Sequence, residues 1–259
     1  MNIKVGCCGF PGGMKKYFEE FNIVEVQKTF YKPPRLNTLE KWRKNAPHNF
    51  EFVVKAWQLI THLATSPTYK KAGIEIPEKN KDKYGFFKPT NEVFEAWETT
   101  KNVCEILKSK ICIMQTPAKF KPSEENLKNM TEFFNSIDRG NLVIGWEPRG
   151  KNWTSDIVKD ICERLNLIHV VDPFAQDPQH FVENIAYFRL HGAPPGKKMY
   201  RYKYLAKDFE YLFSKVKTLP VEKVYILFNN LYMGEDAKKF KDFLKNRITN
   251  KQCFSQEFS

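Results

Sequence analysis

Short runs of apolar residues recur along the chain, separated by longer segments that mix charged and apolar positions. The runs fall at residues 3–8, 23–26, 50–56, 111–114, 142–146, 167–171, 185–190 and 224–228. Most are continuous rather than alternating, the pattern of parallel strands covered on both faces. Between them, residues 35–45, 92–107, 123–137, 155–165, 207–217 and 234–246 read as helices. Two of these open with helix-entry chemistry. Ser123-Glu124-Glu125 supplies a capping hydroxyl with acids in the first turn, and Thr154-Ser155-Asp156 does the same. Eight strands alternating with helices predict an α/β fold, a single-domain (β/α)₈ TIM-type barrel with room for irregularity, and 259 residues suits one such barrel of about 250. The barrel is expected over residues 1–249, with a long insertion at about 63–110 and a C-terminal tail at 250–259. The insertion belongs to an oversized connection from Thr61 to Lys110 that carries Tyr84-Gly85-Phe86-Phe87. A connection of that length is either a lid or binding loop, or a segment packed on the barrel side.

No run approaches the roughly 20 apolar residues of a membrane span. The chain opens Met1-Asn2-Ile3-Lys4-Val5 without the apolar core of a signal peptide, so a cytoplasmic location and no membrane partner are expected. Cys7, Cys8, Cys104, Cys112, Cys162 and Cys253 contain no Cys-x-x-Cys pair and read as buried small residues rather than a zinc or redox site. Lys and Arg total 42 against 30 Asp and Glu, a formal net charge of +12. Such a field draws nucleic acid, phosphorylated metabolites or other anionic small molecules, because unlike charge raises local ligand concentration. The lysines are spread along helices, which suits equally the solvated surface of a thermophile's protein. Oligomeric state leaves no mark in this pattern.

Side chains from different strands of a (β/α)₈ barrel converge beyond the strand C-termini, so the residues there are the ones to examine. They are Gly9 to Gly13, Glu25 with Gln27-Lys28-Thr29-Phe30-Tyr31, Lys55 with Thr61-His62, Gln115, Glu147 and Arg149, Asp172, Arg189 and His191, and Asn229-Asn230. A charge at the end of an apolar strand is costly unless paired or solvated in a pocket. Glu25, Glu147 and Asp172 are candidate acid–base groups. Lys55, Arg149 and Arg189 are candidates to neutralise them or to clamp a phosphate or carboxylate. His62 and His191 are candidates for proton transfer, since imidazole titrates near neutrality. For each, the competing role is an ion pair that closes the barrel top. The glycines at 9–13 lack the Gly-Lys-Ser/Thr ending of a phosphate loop and read as a tight turn. A metal held by Glu25, Glu147, Asp172 and His191 would have no H-x-H or H-x-x-x-H spacing behind it, so metal and cofactor stay unassigned. Lys55 is chemically able to form a Schiff base, although salt bridging is its plainer role. No nucleophile elbow accompanies a Ser/His/Asp set.

In order, the motifs are Gly6-Cys7-Cys8-Gly9-Phe10, Val24-Glu25-Val26-Gln27-Lys28-Thr29-Phe30-Tyr31, Phe52-Val53-Val54-Lys55-Ala56 with Ile60-Thr61-His62, and Met114-Gln115-Thr116-Pro117. Glu147-Pro148-Arg149 with Trp153, Asp172, Arg189-Leu190-His191-Gly192, Tyr202-Lys203-Tyr204 and Phe228-Asn229-Asn230 follow. This series, spanning nearly the whole chain, resembles the domain-of-unknown-function family 72, also called YecE-like. The resemblance implies a TIM-like barrel and no established activity. The family's likeness to nucleic-acid-processing barrels has prompted suggestions of DNA or RNA binding, which is analogy of fold. Carried over position by position, it marks Glu25, Lys55, His62, Gln115, Glu147, Arg149, Asp172, Arg189, His191 and Asn229. We add Tyr31, Tyr204 and Asn230 as expected substrate-binding residues. Cys8 and Phe10 stand where the family usually has Ser and Trp, Gly150 where a His commonly follows the Arg, and Ala118 in place of a second Pro.

Two functions are consistent with these features. One is an enzyme acting by acid–base chemistry on an anionic substrate, either nucleic acid or a phosphorylated or carboxylated metabolite. Glu25, Lys55, His62, Glu147, Asp172 and His191 would then be catalytic. The other is a non-catalytic DNA- or RNA-binding protein, whose aromatics in the long connection and after the second strand would stack on bases.

Overall fold

The computed structural model describes residues 1–193 and 199–256, with side chains through Arg247. Its strands are β1 (Asn2–Cys7), β2 (Ile23–Val26), β3 (Glu51–Lys55), β4 (Ile111–Gln115), β5 (Val143–Glu147), β6 (Leu167–His169), β7 (Ile185–Leu190) and β8 (Lys223–Phe228). Each overlaps one of the apolar runs. All pair in parallel in the order β6-β5-β4-β3-β2-β1-β8-β7. The two ends of that order meet just past β6, where the Arg189 amide donates to the Val171 carbonyl at 2.9 Å beside a parallel bridge from Val171 to Phe188. The sheet is a TIM-type barrel.

Helices α1 (Met14–Glu20), α2 (Lys28–Tyr31), α3 (Leu36–Asn45), α4 (Gln58–Thr61), α5 (Pro67–Ala72), α6 (Asn91–Leu107), α7 (Glu124–Ser136), α8 (Ser155–Leu165), α9 (Ala206–Lys217) and α10 (Met233–Gln256) fill the connections. Only the β6–β7 connection carries no helix, which makes the barrel irregular. The expected caps are in place: the Ser123 hydroxyl accepts from the Asn126 amide at 3.3 Å and the Thr154 hydroxyl from Ile157 at 3.4 Å. Helix α10 runs on through 250–256, the stretch expected as a tail.

The two faces of each strand explain the continuous apolar runs. Outward residues pack under the helices in the larger core. Inward residues, among them Ile23, Val53, Ile113, Tyr187 and Leu227, form a second apolar cluster inside the barrel. Side chains alternate with a period of two, so the inward face continues from Ile23 to Glu25, Val53 to Lys55, Ile113 to Gln115, Gly145 to Glu147, and Tyr187 to Arg189. An apolar plug thereby carries a polar layer at the C-terminal ends of the strands.

The connection after β3 is packed on the barrel rather than free. Gly85 and Phe87 donate backbone hydrogen bonds to Leu59 and Ile60 at 2.8 and 2.9 Å, and Phe87 is fully buried against Phe120, Phe133 and Phe134. Of the aromatics considered for base stacking, some are interior, while Tyr31 and Tyr84 are partly exposed. Phe87 and Phe30 are buried, and Phe86 packs on Phe120. Burial of these rings in the core, which offers more apolar contact than solvent does, corrects the expectation that they face a nucleic acid.

Strands β1 and β2 share one register pair, Cys7 with Val24, and Tyr17 bridges them. Its hydroxyl accepts from the Cys7 amide at 2.8 Å and donates to the Ile23 carbonyl at 2.7 Å. Gly6 permits the approach, since a Cβ there would lie 2.4 Å from the Ile23 oxygen. Tyr17→Phe orphans two buried backbone groups and is expected to cost about 2 kcal/mol or more. Urea denaturation checks this as a lowered midpoint at unchanged slope.

Candidate active site

The inward polar layer is one connected network. Arg189, fully buried, donates through Nε to Glu25 Oε2 at 3.0 Å, and its Nη2 lies 2.9 Å from Glu25 Oε1. Its Nη1 donates to Glu147 Oε2. The Tyr187 hydroxyl donates to Glu25 Oε2 at 2.9 Å, and the Gln27 amide donates to Glu25 Oε1. Glu147 Oε1 also receives Arg149 Nη2 at 2.6 Å. Burial would raise the Glu147 pKa, but Arg149, then Arg189, His191 and Lys55 outweigh it and hold the carboxyl at about 2.

His191 closes the network on the other side. Arg149 Nη2 lies 2.7 Å from His191 Nε2. A guanidinium cannot accept, so Nε2 is the acceptor and the ring proton sits on Nδ1. That proton faces Asp172 Oδ2 at 3.3 Å, while the His191 backbone amide donates to the same oxygen at 2.8 Å. Burial lowers the imidazole pKa against the pull of Asp172, which agrees with a neutral ring. Among the charged groups, Arg149 is the one that reaches solvent, with 23% of its side chain exposed against 0% for Arg189 and His191.

Lys55 stands apart from the carboxylates. Its ammonium donates to Gln115 Oε1 at 3.1 Å and Gln27 Oε1 at 3.3 Å, over the Phe30 ring at 4.3 Å. Burial, with Arg189 adding to it, brings its pKa down to about 8. Phe30 also touches His62, with ring centroids 4.9 Å apart. His62 Nδ1 pairs with the Thr61 hydroxyl at 2.8 Å, and burial, then Lys55, pushes its pKa down to about 3. His62 is thus a neutral neighbour of Lys55.

Of the expected site residues, Glu25, Lys55, Gln115, Glu147, Arg149, Asp172, Arg189 and His191 come together. His62 adjoins them through Phe30. Tyr204 is buried against Phe174 and Phe228, and burial, then Asp172, pushes its hydroxyl pKa up. Tyr31 lies outward, its ring under the Lys71 ammonium at 4.9 Å. The Asn229 amide is held by the Leu190 carbonyl at 2.8 Å. Asn230 turns away to Asp236 and the Tyr202 carbonyl, at 2.6 and 2.7 Å, tying the strand end to α10. Gln27, given no role from its strand-end position, and Tyr187, not singled out in the sequence, both contact Glu25. Of the four residues weighed for a metal, Glu25 and Glu147 flank Arg189, while Asp172 pairs with His191. No three His, Cys, Asp or Glu side chains among the described residues are arranged to hold a metal ion. Five cysteines are buried and unpaired; the Cys253 side chain lies outside the described residues.

The family model described as "Protein of unknown function DUF72" matches residues 11–257. The chain belongs to this family. UPF0759 protein YunF of Bacillus subtilis (strain 168) is 26% identical over 261 residues, covering 90% of this chain and 85% of its own length. A DUF72 family protein (EF0366) from Enterococcus faecalis V583 superposes with a TM-score of 0.71 at 21% identity, over 94% of this chain and 98% of that one. Outside DUF72, a D-tagatose 3-epimerase-like protein shares the barrel with a TM-score of 0.60 at 16% identity, over 98% of this chain and all of that one (100%), a likeness of fold alone. Ala118 and Gly150, two positions expected to depart from the family's usual residues, meet in space: a Cβ on Gly150 (φ +103°) would lie 3.3 Å from the Ala118 oxygen and 3.5 Å from its Cβ.

Proposed function

We propose that the barrel mouth carries out acid–base chemistry on an anionic substrate bearing a phosphate or carboxylate. The observation that supports this most is the Asp172–His191–Arg149 chain. Asp172 fixes the imidazole tautomer so that the Nε2 lone pair points at the rim, and the partly exposed Arg149 caps it. A substrate anion is a better partner for a guanidinium than an imidazole nitrogen. Binding it would draw Arg149 off His191 and free Nε2 as the base. Lys55, titrating near 8, would serve as the second proton carrier, with Gln27 and Gln115 positioning it. Glu25, Arg189 and Glu147 would hold these groups in register.

The test begins with thermal-shift screening of phosphorylated and carboxylated metabolites and single-stranded oligonucleotides, followed by transfer of solvent deuterium into any ligand found. His191→Ala is expected to slow exchange by roughly 10²–10⁴-fold, and Arg149→Met to abolish ligand stabilisation. Exchange and binding unchanged in both variants would overturn the proposal. Binding of oligonucleotides without exchange would favour the non-catalytic reading.

A further inference from the structure

At the opposite end of the barrel, beneath β3, β4 and β8, lies a cavity of about 560 Å³. Arg43, Lys44, His48, Lys108, Lys110 and Lys223 line it. Its one acidic wall residue, Glu51, is already engaged by Lys4 at 3.0 Å and the Tyr225 hydroxyl at 2.9 Å. The cavity therefore gathers basic side chains without a free counter-charge.

Helix C-termini commonly attract lysines through the helix dipole, which accounts for Lys44 at the end of α3. It does not account for the rest. Arg43 is spent on the Pro47 and Phe50 carbonyls, at 2.6 and 2.8 Å. Lys223 opens β8, and Lys110 immediately precedes β4. Lys108 caps α6 in the left-handed region (φ 53°), where Gly or Asn is the common choice. Among the described residues Lys44, Lys108, Lys110 and Lys223 have no carboxylate partner. Like charges lining one concave wall raise the local concentration of an anion there. The volume falls in the range of small-molecule sites, roughly 300–1,000 Å³. A hollow of that size encloses one ligand, whereas a nucleic-acid duplex needs an extended stripe.

We propose that this cavity binds a small molecule with closely spaced phosphates, a nucleoside triphosphate or an inorganic polyphosphate, at a site separate from the barrel mouth. Isothermal titration of the full chain with ATP and with inorganic tripolyphosphate tests it, using wild type, Lys110→Glu/Lys223→Glu and Arg149→Met. Wild type is expected to bind, more weakly as salt rises. The double reversal should lose roughly tenfold or more in affinity, and Arg149→Met should bind as wild type does. Tighter binding of ATP would identify a nucleotide, and equal binding would identify the phosphates alone as the ligand feature. A urea midpoint near that of wild type shows that the double reversal folds. In wild type itself, ATP should protect Lys108 and Lys110 from amine acylation, read by mass spectrometry. Absence of binding, absence of protection, or loss in Arg149→Met alone would overturn the proposal. So would an oligonucleotide that binds more tightly than ATP and is lost in the double reversal, because the face would then be a nucleic-acid surface.

Discussion

Arg189→Met is expected to cost about 3–5 kcal/mol, the scale for removing one partner of a buried ion pair. Methionine keeps much of the arginine's length but leaves Glu25 and Glu147 without the cation between them, at 0% and 3% exposure. Glu147 retains Arg149, whereas Glu25 keeps only the Tyr187 hydroxyl and the Gln27 amide. Most of the cost therefore falls on Glu25. Adding Glu25→Gln to Arg189→Met removes the orphaned charge and should recover a substantial part of the loss. Urea denaturation of the single and double variants measures both effects. Arg149→Met should cost less by the same assay, about 1–3 kcal/mol, because it takes one partner from Glu147 and His191 but leaves Arg189 on the Glu147 carboxylate. A loss below about 1 kcal/mol for Arg189→Met would show that the fold does not depend on this ion pair, against the expectation for a buried one. The contrast separates the two arginines: Arg189 is enclosed between two buried carboxylates, and Arg149 reaches the rim.

The barrel was legible because its strands are covered on both faces, so each appears as an unbroken apolar run. The polar layer of the candidate site was legible because the inward face of these strands turns polar at its end, and Glu25, Lys55, Gln115, Glu147 and Arg189 interrupt the runs where the plug stops. What was not legible follows from the same geometry. Tyr187 lies inside an apolar run and looks like core, yet it stands two residues before Arg189, on the same face, and that spacing was the available signal. Asn230 is polar and at a strand end, but one residue past Asn229 it faces α10 and belongs to the scaffold. Helix α1 escaped because it is short, opens at Gly13 without a side-chain cap and fully buries only Tyr17. The aromatics of the long connection have no periodicity to separate a stacking surface from a satellite core, and only their packing on Phe120 and α7 decides it.

Acidification is expected to unfold the protein in a steep transition governed first by histidines. Burial holds His169 down to about 4, and burial with Lys55 holds His62 down to about 3. His191 is lowered as well. In the unfolded chain an imidazole takes its proton near 6.5. Between that pH and the folded values the unfolded state binds more protons, so stability falls with pH. The contribution of each neutral histidine is complete above about pH 6.5 and is lost as pH drops toward its folded pKa, about 3–5 kcal/mol for His62 and for His169. Glu147, held at about 2, has a later window: its contribution of about 3 kcal/mol is present above about pH 4.5 and lost below it. The two histidine terms alone approach the stability of an ordinary domain, about 5–15 kcal/mol. Unfolding should therefore come near pH 4–5, before Glu147 titrates. Circular dichroism against pH, with urea titrations at each pH, gives the slope of the unfolding free energy. Near pH 5 that slope should correspond to at least the two protons of His62 and His169, and His62→Leu should reduce it by about one. A flat wild-type slope between about pH 5 and 6 would mean that these rings are already protonated in the folded protein. His191 would then carry a proton on Nε2 and could not accept from Arg149, so the same curve also tests the base assigned to the mouth.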